Sequence, residues 1–445
     1  MRHALGWADL TGKTVGIFGA GIEGRAAIER LDGLASEIVV VDDAPSPSGD
    51  PTVLVTDQGG LEALKRCDVV IKSPGISAYR PEIAALEARG IPVVGGIGLT
   101  LHEVDRSRVI CVTGTKGKST TSAILGHLLA GLGKRAAVTG NIGIPPFDVS
   151  VPDDLDVLVI ETSSFQALDV VDAPAVVVVT SLDVDHLDWH GSVEQYRADK
   201  LSLTALPGAG ITVAQANSPA LRAHGDDLGG EVRWVSELAG AWSEGLGLTG
   251  THNLANAELA REALIALGID EARDEELLGR AAQGFAGLPG RFSDAGSIGA
   301  VRFIDDSLAT NVLPTLAALE ALQGHRVALL LGGHDRGIDY EPLLTALRAR
   351  VEPTLVIGLP DSGQRLVEEI SATPTSTEVT TAGTVAEATA AGLSWATPDG
   401  IVLLSPAAPS FSQFSSWKER SEAFRSAIER LRSTPVPNAP TGSAT

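Results

Sequence analysis

Residues 109–121, Val-Ile-Cys-Val-Thr-Gly-Thr-Lys-Gly-Lys-Ser-Thr-Thr, constrain this chain more than any other stretch. Residues 109–112 are a short apolar run of strand type, Gly114 and Gly117 punctuate a polar loop, and a helical pattern continues from Thr121. A strand feeding a glycine-rich loop and a helix start makes a cradle for phosphate. Glycine lets backbone N–H groups turn inward, and the helix N-terminus adds partial positive charge. In that reading Gly114, Thr115, Lys116, Gly117, Lys118, Ser119 and Thr120 face a nucleotide. Lys118 reaches its β- and γ-phosphates, and Ser119 stands where a Mg²⁺ ligand is needed. The loop departs from G-x-x-x-x-G-K-[ST], because Val112 replaces the first glycine. A bare Gly-Lys-Ser is most often an ordinary loop, so the flanking strand and helix carry the inference.

The residues before this stretch repeat the theme. Residues 14–43 read as strand, turn, helix and strand, with Gly19-Ala-Gly21-Ile22-Glu-Gly24 at the turn and Asp42 closing the second strand. This is the dinucleotide fingerprint, with an acidic residue about twenty positions beyond the glycines. The pattern admits any nucleotide-like ligand, or none. A further strand over 68–72 runs into Ser73-Pro74-Gly75, a stiff turn at the edge where open α/β sheets bind ligands.

Beyond the phosphate loop, apolar strands end in Gly140-Asn141, in Glu161-Thr-Ser163-Ser-Phe-Gln166 and in Ser181-Leu-Asp-Val-Asp-His186. With residues 109–112 these make four strands delivering polar residues to one edge of a parallel sheet. Glu161 and His186 are oxygen and nitrogen ligands that could serve a Mg²⁺ completed by water. Lys200, on a following helix, reads from pattern as a solvated lysine. Asn256 lies near the start of a helix over about 249–263, where it either caps the helix or faces a nucleobase. Gly287-Leu-Pro-Gly-Arg291-Phe292 reads as a linker. A third α/β unit follows, whose strand ends carry Asp305-Asp306, Gly332-Gly-His-Asp-Arg336 and Ser405-Pro-Ala-Ala-Pro-Ser410-Phe411.

Length and charge bound the alternatives. At 445 residues the chain suits about three domains. A net charge of −22, from 34 basic and 56 acidic residues, argues against nucleic acid and requires a polyanion to be held by a local site. The two cysteines, Cys67 and Cys111, sit in or beside apolar runs and read as buried thiols of a reduced compartment. No signal-type segment opens the chain and no apolar run approaches the ~20 residues of a membrane span. The expectation is a cytoplasmic protein without membrane attachment.

The motifs GTKGKST, GNIG, ETSSFQ, DVDHLDWHGSVEQYRADK, GTHNLANA, GLPGRF, DDSLATN, GGHDRG and LSPAAPSFSQF, in this order, resemble the Mur ligase family of peptidoglycan synthesis. Length and the N-terminal fingerprint are most similar to its MurD-type branch, which adds glutamate to UDP-N-acetylmuramoyl-L-alanine. The resemblance implies an α/β protein of three domains. A Rossmann-like N-terminal domain (1–105) holds the UDP sugar, and a central P-loop-type ATP-binding domain (106–293) follows. A C-terminal Rossmann-like domain (294–432) brings the amino acid, and residues 433–445 form a disordered tail. It implies ATP and Mg²⁺, an acyl-phosphate intermediate, and a monomer.

Several residue roles follow only from this resemblance. Ser119, Glu161 and His186 would hold Mg²⁺, and Lys200 matches a lysine that is carbamylated in the family, near the second Mg²⁺. Lys118, Glu161, His186 and Lys200 would be the catalytic set. Asn141, Ser163 and Gln166 match positions facing the UDP-sugar substrate, and Gly21, Ile22, Asp42, Ser73, Pro74 and Gly75 match the uridine-diphosphate pocket. Asn256, Arg291 and Asp306 match ATP-site positions. Thr310, Arg336, Ser410, Phe411 and Trp417 fall where the family grips glutamate.

Those last loops depart from the family pattern. Leu308 replaces a lysine, Arg336 replaces another, Trp417 stands near an expected phenylalanine, and the loop over 405–414 lacks the usual cysteine and aspartate. This combination is similar to the variant that adds L-glutamate, whose product a separate epimerase then inverts. The alternative is a D-glutamate ligase whose loops have drifted. An NAD-dependent dehydrogenase would leave the phosphate loop unused, a simple kinase or ATPase would leave the other loops unused, and a non-catalytic precursor sensor would not need Lys118, Glu161, His186 and Lys200.

Overall fold

The computed structural model describes residues 3–45, 50–141, 143–183, 187–248, 250–335, 338–372, 376–410 and 413–433, with backbone alone at 187, 188 and 313. Three of the expected site residues, His186, Arg336 and Phe411, lie outside the described residues, as does the expected tail from 434. The chain divides into two compact units, Met1–Phe285 and Ala286–Thr445. The first unit contains two sheets and the second unit one.

The first sheet comprises β1 (Thr14–Phe18), β2 (Glu37–Asp42), β3 (Val53–Val55), β4 (Val69–Lys72) and β5 (Val93–Val94). They run in the order β3-β2-β1-β4-β5 and all pairs are parallel. The order reverses between β1 and β4, so the loops following these strands line a crevice at the carboxyl edge. The helix Ile22–Leu31 starts at Gly21 and packs tightly on the preceding turn. A Cβ on Gly24 would lie 2.0 Å from the Gly19 carbonyl oxygen, so the last glycine of the fingerprint is needed for this approach.

The second sheet comprises β6 (Val109–Thr113), β7 (Ala136–Gly140), β8 (Val157–Glu161), β9 (Val176–Val179), β10 (Ile211–Gln215) and β11 (Glu231–Val235). Their order is β11-β10-β9-β6-β8-β7, again wholly parallel. Ile110, Val112, Val159 and Val178 from its central strands pack with Ile124, Leu125 and Leu128 of the helix Lys118–Gly131. Each such fully buried side chain contributes about 1.5–3 kcal/mol of apolar burial. The sheet has two strands more than the four read from sequence. β10, interrupted by Thr212, and the polar edge strand β11 lack the continuous apolar run that marks the centre. The helix also begins at Lys118 rather than Thr121, which puts Ser119 and Thr120 in its first turn.

Charged side chains tie these two sheets together. Lys72 Nζ, at the end of β4, pairs with Asp169 at 2.8 Å, and Gln166 Nε2 donates to Glu23 at 2.5 Å. Tyr79 O–H lies 2.8 and 2.9 Å from the two carboxylate oxygens of Asp199. Both cysteines are buried thiols, and burial pushes Cys67 up to about 11 and Cys111 up to about 12.

The second unit holds β12 (Ser293–Ile298), β13 (Val301–Asp305), β14 (Val327–Leu331), β15 (Thr354–Gly358), β16 (Glu378–Thr381) and β17 (Ile401–Leu404). They are ordered β12-β13-β17-β14-β15-β16, with only β12 antiparallel to its neighbour. The segment over 287–292 is no free linker. The Leu308 N–H donates to the Gly290 carbonyl at 2.8 Å, and Gly290 lies against the Trp417 ring.

Candidate active site

In the second sheet the chain leaves β6 toward β7 and β8, and leaves β9 toward β10. The reversal therefore falls between β6 and β9, and the loops after these strands meet there. Thr180 Oγ1 donates to the Thr113 carbonyl at 3.1 Å and also bonds the Lys116 carbonyl. The Thr115 N–H donates to the Ser181 carbonyl at 3.0 Å, and the Lys116 N–H to Ser181 Oγ at 2.8 Å. Those two N–H groups are thus turned away from any ligand. The helix start, residues 118–120, supplies the donors that an intrahelical ladder leaves over.

Gly117 is the hinge of this loop. Its φ is +88°, and a Cβ there would lie 2.5 Å from Asn256 Oδ1. Asn256 is no helix cap, since the helix Thr251–Leu267 is headed by Gly250; it is buried beside the phosphate loop. Gly117→Ala combines backbone strain with this clash, and is expected to destabilise the protein by ~1–3 kcal/mol. Nucleotide affinity should fall by about tenfold or more. Thermal unfolding and a nucleotide titration read the two effects, and tight binding by the alanine variant would remove this loop from the site.

Two cations converge on the loop. Lys118 Nζ donates to the carbonyl oxygens of Gly114 at 2.9 Å and Thr115 at 3.2 Å. Lys200 Nζ donates to the same Gly114 oxygen at 3.0 Å and stands 4.8 Å from the Tyr196 ring centre. Lys200 is 2% exposed, so the solvated-lysine reading is corrected: the helix Val193–Leu201 turns Tyr196, Asp199 and Lys200 inward. Tyr196 O–H lies 2.8 Å from Thr115 Oγ1, which in turn accepts from the Asp183 N–H at 2.9 Å. Asp199 is held by His190 Nδ1 at 2.6 Å, and His190 Nε2 lies 2.9 Å from Ser164 Oγ. The sequence reading passed over Ser181, Tyr196 and His190 as parts of this frame. The available signal was the four-residue spacing of Tyr196 and Lys200, which places both on one helix face.

Glu161 ends β8, fully buried beside β6. Its Oε1 accepts from Asn141 Nδ2 at 2.8 Å, while Oε2 has no hydrogen-bond partner among the described residues. Thr113 Oγ1 and Thr121 Oγ1, at either end of the loop, are similarly buried without one. Unsatisfied oxygen donors beside a phosphate cradle suit a hard cation. Among the described residues no group of three His, Cys, Asp or Glu could cage a metal. A Mg²⁺ held through Glu161 and Ser119 would take its remaining ligands largely from phosphate and water, as Mg²⁺ commonly does. Two ammonium groups sharing one carbonyl also form an arrangement that a triphosphate's charge relieves. The residues present therefore fit both groups.

The expected UDP-pocket residues gather at the first sheet's reversal. Ser73 Oγ donates to the Gly19 carbonyl at 2.7 Å, docking the Ser73-Pro74-Gly75 turn on the glycine loop. Asp42 accepts from the Ala20 N–H at 2.7 Å and so braces that loop directly. Ile22 is 66% exposed, an apolar platform at the helix start next to Gly21. Ser163 caps the short helix Ser164–Ala167, with Gln166 closing a reciprocal capping box. Gln166 is therefore spent on both sides, Oε1 on the Ser163 N–H at 2.8 Å and Nε2 on Glu23.

In the second unit Asp306 turns inward. It accepts from the Phe292 N–H at 3.1 Å and Ser405 Oγ at 2.7 Å, and burial pushes it up to about 7. The adjacent Arg291 is exposed. Thr310 is partly buried, Ser410 is buried on the loop after β17, and Trp417 begins the helix Trp417–Ser433. The β14 and β17 loops are laced together, with Gly332 N–H on the Pro406 carbonyl and His334 N–H on that of Pro409.

Residues 112–244 match the Mur ligase middle domain, and residues 290–408 match the Mur ligase glutamate ligase domain. Among curated proteins, the UDP-N-acetylmuramoyl-L-alanine–L-glutamate ligase of a Micromonospora species is 36% identical, covering 96% of this chain and 99% of that one. The protein of the same name from Salinispora tropica is also 36% identical, over 95% of this chain and 98% of its own. Among solved structures, UDP-N-acetylmuramate-alanine ligase MurC of Thermotoga maritima aligns with a TM-score of 0.56 at 19% identity, covering 95% and 99% of the two chains. MurF of Acinetobacter baumannii aligns at 0.55 and 17%, covering 98% and 93%.

Proposed function

Because this chain belongs to the Mur ligase family, and is thus an ATP-dependent amide ligase, we propose that it joins L-glutamate to UDP-N-acetylmuramoyl-L-alanine. The observation that carries the reading is the meeting of Lys118 and Lys200 on the Gly114 carbonyl, on the same sheet edge as the Glu161 oxygen that has no hydrogen-bond partner among the described residues. The acceptor's alanine carboxylate attacks the γ-phosphorus of ATP, giving an acyl phosphate and ADP. The glutamate amine then attacks the acyl carbon and loses a proton, and the tetrahedral adduct expels phosphate to leave the amide.

Each step asks something different of the protein. Negative charge spreads over the transferring phosphoryl oxygens; Lys118, held on the loop by the Gly114 and Thr115 carbonyls, and the helix-start N–H groups would need little reorganisation to meet it. Ser119 and Glu161, with His186 and a carbamylated Lys200 in the family pattern, would hold Mg²⁺, which would supply charge neutralisation for the phosphoryl transfer. The loops of Gly21, Ser73 and Asn141 position the acceptor, and Thr310, Arg336, Ser410, Phe411 and Trp417 would hold glutamate.

The L-stereochemistry is supported by the names of the 36%-identical relatives and by Leu308, an apolar residue at a position where a lysine would grip a carboxylate. Inverting the α-carbon exchanges the directions of carboxylate and side chain about the attacking amine, so charged contacts must relocate. Such an enzyme would act in the cytoplasm as a monomer and pass its product to an epimerase. Phosphate release with ATP, Mg²⁺ and acceptor is expected with L-glutamate and to be about a hundredfold lower with D-glutamate, given the few kcal/mol that misplaced charged contacts cost. Turnover with D-glutamate alone would make it a D-glutamate ligase with drifted loops.

A further inference from the structure

Glu23 is a charged residue where the acceptor's phosphates would least favour one. It occupies the second position of the helix Ile22–Leu31, directly after the glycine turn. An ionised carboxylate suits a helix N-terminus, yet it opposes a diphosphate lying on that same turn. The side chain is partly buried and reaches toward the second sheet, where Oε1 accepts from Gln166 Nε2 at 2.5 Å. Gln166 is fixed in turn by the Ser163 N–H, so the carboxyl cannot turn the amide toward another partner without opening the capping box. The nearby cation, Lys72, is already paired with Asp169 at 2.8 Å. Glu23 therefore faces one committed lysine and one further carboxylate. Burial pushes it up to about 7; Asp169 adds to this, and Gln166 and Lys72 oppose it.

We propose that Glu23 is an acceptor-recognition residue that works as the neutral acid, so that the diphosphate of the UDP-linked acceptor binds with uptake of one proton at this carboxyl. The inference rests on the reading that the diphosphate lies on the Ile22–Leu31 helix. As the acid, Glu23 keeps Oε1 as the acceptor for Gln166 and gains an Oε2–H that can donate to a phosphate oxygen. As the carboxylate it has no donor and sets a negative charge beside a dianion. The sign follows from the position near 7: the neutral form prevails below it and declines about tenfold per pH unit above it. Acceptor affinity should decline in step.

The test is a calorimetric titration of UDP-N-acetylmuramoyl-L-alanine into the full-length enzyme, without ATP or glutamate, at pH 8 in two buffers of different ionisation enthalpy. The pyrophosphate diester and the alanine carboxylate do not titrate near neutrality, so proton uptake reports the protein. The expected result is uptake of close to one proton, with Kd weakening about tenfold from pH 7.5 to 8.5. Glu23→Gln should abolish both, because an amide donates at every pH. Glu23→Thr, a shorter neutral donor, serves if the glutamine variant does not fold. Binding without proton uptake, or uptake that persists in either variant, overturns the role of Glu23 and leaves the acceptor assignment standing. No binding at all overturns the acceptor reading, and this inference with it.

Discussion

Replacing Lys200 by alanine is expected to lower phosphate release by about a thousandfold, with part of the loss regained on adding formate or acetate. The helix carrying Lys200 should survive the change. Tyr196 still ties it to Thr115 at 2.8 Å, and Asp199 still engages His190 at 2.6 Å and Tyr79 at 2.8 Å. What is lost is a buried side chain whose terminal nitrogen reaches the Gly114 carbonyl of the phosphate loop. On carbamylation the ammonium first gives up one proton; its amine nitrogen then joins the carbon of CO₂ and releases a second, so a cationic end becomes a carboxylate-like one. In that form Lys200 can help hold Mg²⁺ together with Glu161. A small carboxylate entering the space left by alanine reproduces that end group but not its tether, which is why rescue should be partial. Parent enzyme in ¹³C-bicarbonate should show a carbamate resonance that Lys200→Ala lacks. Full activity in the variant would sink the assignment. Loss with neither rescue nor resonance would leave Lys200 as a cationic brace of the loop.

How far such residues can be read from sequence depends on how local their cause is. The two glycine loops were legible because their demand is local: Gly24 must admit the Gly19 carbonyl, and Gly117 must hold a positive φ beside Asn256. The central strands were legible from their apolar runs, whereas β10 and β11 were not, because polar residues interrupt them. Lys200 escaped pattern reading because its burial is set by partners far along the chain. Gly114 is 86 residues away, and Tyr79, which steadies the same helix through Asp199, is 120 residues from that carboxylate. Residue type alone also could not show how the backbone of Thr115 and Lys116 is held. Their backbone N–H groups are claimed by Ser181 across the sheet's reversal, a pairing no spacing announces. Glu23 carries the same lesson in reverse. Its place in the fingerprint was plain, but its raised proton affinity comes first from burial and then from Asp169, which a different sheet delivers.

Lys118→Met is expected to lower kcat by about 10²–10³-fold while weakening nucleotide binding far less. Methionine keeps much of the stem that packs at the head of the helix Lys118–Gly131 and removes the charge. In the parent, the ammonium is already folded over the loop by the Gly114 and Thr115 carbonyls, at 2.9 and 3.2 Å. Little rearrangement is then needed as charge builds on the transferring phosphoryl group, and preorganised charge of this kind acts mainly on the transition state. The helix-start N–H groups remain to hold the ground-state phosphates, so nucleotide affinity should change less than turnover. Lys118→Arg should not restore the rate, because a planar guanidinium cannot occupy the compact position fixed by two carbonyl oxygens one residue apart. Steady-state kinetics and a nucleotide titration separate these effects. A variant that loses nucleotide affinity in proportion to kcat/KM and keeps kcat would make Lys118 a binding group, and would leave the stabilisation of the phosphoryl charge to the helix-start N–H groups and to a Mg²⁺ that Glu161 would hold.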